Sequence, residues 1–171
     1  MALPGRTRTR RRSTIVLIIA LMMIVGVVAA AAAAPPATKK VAKATGTYEY
    51  ITITGSWRAA SISAHAMDPV KGTWTWTAEG TTYRGPVTCL RVSGDDAWLA
   101  GPMSDGTGAV FMWVHDGGTP GRNGDTAFTW GADPWESLAD MEALCESMTT
   151  SPYGYDAFDV VSGNLNVWDA S

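Results

Sequence analysis

The chain has 171 residues and a formal net charge of −3, room for one domain plus a targeting segment. The charge is split. Arg6, Arg8, Arg10, Arg11 and Arg12 precede a long apolar run with no acid among them, whereas from Pro35 onward eight Lys+Arg stand against 16 Asp+Glu, a net of −8. A body this acidic excludes nucleic acid as a partner, because phosphate binding needs a cationic surface.

Residues Ile15–Ala34 read IVLIIALMMIVGVVAAAAAA, apolar on every side. A basic head, an apolar stretch and small residues at its end are the parts of a secretory signal peptide, cut within or just after the alanine tract. The run is also long enough to span a bilayer as an N-terminal anchor helix. Both readings leave the arginines cytoplasmic and place the rest of the chain outside the cytoplasm. We therefore expect a signal peptide or membrane anchor over 1–34, a Pro-rich then basic linker over 35–45 and a β-rich extracytoplasmic domain over 46–171.

Within that domain, Thr47–Thr54 (TYEYITIT) alternates as a strand, with Tyr48 and Tyr50 on one face and Ile51 and Ile53 on the other. Thr73–Thr77 (TWTWT) sets Trp74 and Trp76 on one side. Thr82–Val92 reads as a strand, Ser93-Gly94-Asp95-Asp96 as a hairpin turn, and Ala97–Ala100 as the returning strand. Ala109–Val114 (AVFMWV) is apolar on both faces, the pattern of a covered strand. Thr126–Trp130 and Leu165–Trp168 complete the strands. One segment suits a helix. Asp133-Pro134-Trp135-Glu136 opens it, and Leu138, Met141, Ala143, Leu144 and Cys145 share its inner face. The expected fold is mainly β: a small antiparallel barrel or sandwich of about 7–8 strands with one short helix.

Two cysteines, Cys89 and Cys145, predict a disulfide in an exported domain. With no histidine pair nearby they make no zinc site.

The string GPVTCLRVSGDDAWLAG, followed by VFMWVHDGG and a final GNLNVW strand, resembles a group of small secreted bacterial proteins that are uncharacterised. These share a Gly-x-Val-x-Cys-Leu strand, a Gly-Asn or Gly-Asp turn, an Ala-x-x-x-Gly strand and a Val-x-Asp-x-Gly turn. The resemblance covers roughly Lys71–Trp168 and implies a small β-barrel-like fold and no activity.

Catalytic and metal sites find little support. His65 and His115 are the two histidines, and Asp116 beside His115 points to the opposite side of a strand. No Gly-x-Ser-x-Gly elbow, Walker loop or dinucleotide fingerprint is present. The glycine-rich stretch Asp116–Asp125 offers Asp116, Asn123 and Asp125 as oxygen ligands but has no EF-hand spacing, and reads as a loop whose acids cap backbone groups. No catalytic residue, metal or cofactor is expected.

All eight tryptophans lie in the domain, more than a small barrel buries. Trp74 and Trp76 are the expected ligand-binding pair, since an exposed indole beside Thr stacks on sugar rings or anchors a protein partner. The leading expectation is a non-enzymatic domain, secreted or held at the membrane by residues 15–34, that binds a polysaccharide or an envelope protein. A purely structural envelope protein is the alternative, and a hydrolase without a recognised motif the third.

Overall fold

A computed structural model describes residues 40–118, 124–131, 137–149 and 157–171. The apolar run 15–34, most of the linker, Asn123 and the expected helix opening at 133–136 lie outside the described residues. Among the described residues no helix is long and apolar enough to cross a membrane.

The domain is mainly β. The described strands, in chain order, are β1 (Lys43–Ile51), β2 (Trp57–His65), β3 (Lys71–Ala78), β4 (Thr81–Pro86), β5 (Cys89–Ser93), β6 (Asp96–Pro102), β7 (Ala109–His115), β8 (Thr126–Gly131) and β9 (Phe158–Trp168), with one helix, α1 (Leu138–Ser147). They form one antiparallel sheet of order β4-β3-β2-β1-β9-β8-β7-β6-β5. Two meanders thus flank a central pair made by the first and last strands.

The sheet curls into a half-barrel that brings β4 against β6. There the Ser104 amide donates to Arg84 O at 2.8 Å. Gly85 and Gly101 make this approach possible. A Cβ on Gly85 would stand 1.8 Å from Pro102 O, and one on Gly101 1.9 Å from Pro86 O, so only glycine fits. Trp74 closes over both glycines, and its Nε1 donates to Pro86 O at 3.1 Å.

Two cores follow from strand alternation. Inside the curl pack Tyr48, Tyr50, Ile62, Trp74, Leu99 and Met112 with their neighbours. On the other side of β6 and β7, Trp98, Phe111 and Trp113 pack against Met141 and Cys145 of α1. Strand β7 is therefore covered on both faces, as its sequence requires. Ser137 caps α1, its Oγ accepting from the Asp140 amide at 3.2 Å. At the far end Arg91 donates to the carbonyls of Glu146 and Met148 and lies 5.0 Å from the Trp98 ring centroid. A cation there complements the helix dipole. The Cys89–Cys145 disulfide is formed and ties α1 to β5.

Several elements differ from expectation. Among the described residues nine strands replace the 7–8 expected. Strand β2, WRAASISAH, carries mostly small residues, so its inward set Ala60, Ile62 and Ala64 gives a weak alternation signal. The stretch 82–92 is two strands, because at Val87-Thr88 the chain passes from one edge of the sheet to the other. The linker ends sooner, β1 starting at Lys43. Ala143, expected on the inner face of α1, is exposed. The curl stays a half-barrel: its edge strands β4 and β5 form no ladder with each other among the described residues, and within the sheet β8 pairs with β9 only at Thr126–Asp159 and Ala127–Phe158. Beyond that point side chains replace the ladder. Asp125 Oδ2 accepts from the Leu165 amide at 3.3 Å and Asp116 Oδ2 from the Val167 amide at 3.0 Å.

Candidate functional site

Trp74 and Trp76 share a side, and that side is the inner one. Trp74 is 1% exposed and belongs to the closure described above. A buried indole has no ring face to offer a sugar. Trp76 is partly buried, packed on Tyr83 with ring centroids 5.8 Å apart. Its Nε1 and the Thr129 Oγ1 are buried. Both approach the Tyr50 hydroxyl, whose pKa burial pushes up and these two neighbours pull partly back. The cluster belongs to the interior.

Among the described residues the exposed indole is Trp57, at 46%, and not Trp74 or Trp76. It begins β2 and pairs with Ile51, itself 49% exposed. Beyond them Ile53 stands 90% exposed at the hairpin tip. The tip is held by bonds from the Thr52 amide to Ser56 O and from the Ser56 amide to Thr52 Oγ1.

From Trp57 the outer face of β9, β1, β2, β3 and β4 runs as rows of aligned residues. The first is Ser162–Glu49–Ala59–Thr77–Thr82 and the second Asn164–Thr47–Ser61–Thr75–Arg84. The third is Asn166–Thr45–Ser63–Thr73, and the last Trp168–Lys43–His65–Lys71. Neighbouring strands lie about 4.8 Å apart, so the first three rows are ladders made mostly of hydroxyl and amide side chains at that interval, and the last carries a ring and basic side chains. Such a face has no apolar cover because alternation sends Tyr48, Ile62 and Trp74 inward.

Two depressions lie on this face. One of about 260 Å³ is lined by Thr47, Glu49, Ser61, Thr75, Thr77 and Ser162 among others. The second, of about 440 Å³, is lined by Val41, Lys43, Asn166 and Trp168. Lys40 Nζ lies 5.3 Å from the Trp168 ring centroid. A further depression beside the disulfide holds Arg91, whose Nη1 donates to carbonyls at the end of α1.

The other sequence candidates separate. His65 is in the last row of the outer face. His115 lies across from Asp96, with Nδ1 3.1 Å from Oδ1, and not with Asp116. Both side chains are about one-third exposed at a sheet end, and no described pocket joins them. Asp116 and Asp125 cap backbone groups, Asp125 Oδ1 also accepting from the Gly117 amide at 2.9 Å. Among the described residues no three His, Cys, Asp or Glu gather as metal ligands.

Comparison with known proteins gives no match, whether to a family model, a curated protein or a solved structure.

Proposed function

We propose that this is a non-enzymatic, extracytoplasmic binding domain, secreted or held at the cell membrane by residues 15–34, whose ligand is a glycan. The observation that carries the reading is the outer face of β9–β1–β2–β3. A shallow depression lined by Thr, Ser and Glu49 side chains lies along strands that end in the exposed ring of Trp57. Sugars need both groups: hydroxyls and carboxylates to exchange hydrogen bonds, and an aromatic plane to cover the apolar face of a ring. The location is supported by the N-terminal run and by the Cys89–Cys145 disulfide, which suits an oxidising compartment.

The test is calorimetry of the full-length chain in mild detergent against a panel of soluble cell-wall and plant oligosaccharides. Binding that Trp57→Ala abolishes without lowering the melting temperature is the expected result. A panel in which no glycan binds refutes the reading. A second reading, docking on an envelope protein, is favoured by Ile53 at the hairpin tip, 90% exposed beside the half-exposed Ile51, because exposed apolar residues gathered together mark an interaction surface. In that case Ile53→Ser, not Trp57→Ala, removes binding.

A further inference from the structure

The charge on the outer face runs opposite to that of the domain. Residues from Pro35 onward carry a net of −8. Yet Lys43, Lys71 and Arg84 all project from this face, with His65 between the two lysines in the last row. Lys40 joins them over Trp168. Among the described residues no ion pair holds Lys43, Lys71 or Arg84; the two pairs present are Arg58–Glu79 and His115–Asp96. The acids at that end are Asp68, in the loop after β2, and Asp169, whose carboxylate is occupied by the amides of Gly94 and Ser171. Glu49 is at the other end, in the row nearest Trp57. Unpaired cations gathered on one face of an acidic domain make that face attractive to anions and the rest repellent.

We propose that the glycan bound on this face is acidic, a polysaccharide of uronic-acid units. It would lie along the strands from Trp57 to the Lys43–His65–Lys71 row. The inference rests on the glycan reading and adds the chemical class. Eight residue steps separate Trp57 from His65 on β2, about 27 Å at strand rise, so the occupant is an extended chain and not a single sugar. Its two ends meet different chemistry. Trp57 takes the apolar face of a pyranose ring. The depression beside Lys43, Asn166 and Trp168 takes a carboxylate, with Lys40 and Lys71 in reach of the same strand of ligand. A polyol phosphate would satisfy the lysines but offers no ring face to Trp57, so the carboxylate sugar is the better fit.

The experiment uses the full-length, oxidised chain in mild detergent. Titrants are hexamers of galacturonate and of a neutral glucan, with poly(glycerol phosphate) as a third arm, each at two salt concentrations. The expected result is that galacturonate binds more tightly than the neutral glucan and weakens as salt rises, because exposed charge pairs are screened. Lys43→Ala with Lys71→Ala should weaken galacturonate by about tenfold, the equivalent of ~1.4 kcal/mol, and leave the melting temperature and the neutral glucan unchanged. Equal binding of acidic and neutral hexamers overturns this inference while leaving the glycan reading intact. Tighter binding of poly(glycerol phosphate) overturns the carboxylate assignment. No binding of any titrant overturns both readings.

Discussion

Replacing Trp74 with alanine tests how the half-barrel is closed. The side chain is 1% exposed, and its ring meets the two glycines where β4 crosses β6. Emptying a buried site of this size costs about 3–5 kcal/mol, from lost transfer energy and the cavity left behind. Loss of the Nε1 bond to Pro86 O at 3.1 Å adds about 1 kcal/mol. The expected total of roughly 4–6 kcal/mol is a large part of the ~5–15 kcal/mol that a domain has. Trp74→Phe keeps most of the apolar contact and loses the bond, so it should cost far less, about 1–2 kcal/mol. Urea unfolding of the oxidised protein, followed by far-UV circular dichroism, measures both. Trp57→Ala serves as the exposed control and should stay within about 0.5 kcal/mol of the parent. A Trp74→Ala variant less than about 1 kcal/mol below the parent would refute the view that this indole seals the closure.

Other outcomes follow from the same structure. Reduction of Cys89–Cys145, 56 residues apart, should destabilise the domain by about 4 kcal/mol on the chain-entropy account, read as a drop in the urea midpoint. Asp125 is 1% exposed, and Asp125→Ala leaves the Gly117 amide and the buried Leu165 amide without this acceptor. It should cost about 2–5 kcal/mol and speed hydrogen exchange at Leu165, while an unchanged exchange rate there contradicts the capping role. Burial raises the pKa of both Tyr48 and Tyr50. The folded state thus holds protons that the unfolded state releases near pH 10, and stability is full below that pH and falls as pH rises above it, by about 1.4 kcal/mol per pH unit for each tyrosine. Alkaline titration should show Tyr50→Phe resisting this loss relative to the parent, once both are compared from their own stability at pH 8.

Much of the fold is legible in the residues because strand periodicity is written locally. Tyr48 and Tyr50, Trp74 and Trp76, and the two-sided Ala109–Val114 stretch each declare a face through their own neighbours. The disulfide was legible as well, since two cysteines allow only one pairing. Strand β2 was not, because Ala60 and Ala64 face inward with too little apolar contrast to stand out. Nor was the identity of the exposed tryptophan. Alternation places Trp74 and Trp76 on a common side, but whether that side is core or surface depends on what the curled sheet encloses.

By itself, then, the amino-acid order determined the clearly alternating strands such as β1, β3 and β7, the turn between β5 and β6, the pair of cysteines and the acidic character of the domain. Tertiary structure alone decided the candidate site. The pairing of β1 with β9 joins the two ends of the domain and sets Lys43 beside Trp168. The pairings of β2 with its neighbours add His65 and Lys71 to that row. Register between distant segments is a property of the assembled sheet. It arises only when the inward side chains have packed, and they fix which residues are left outside together.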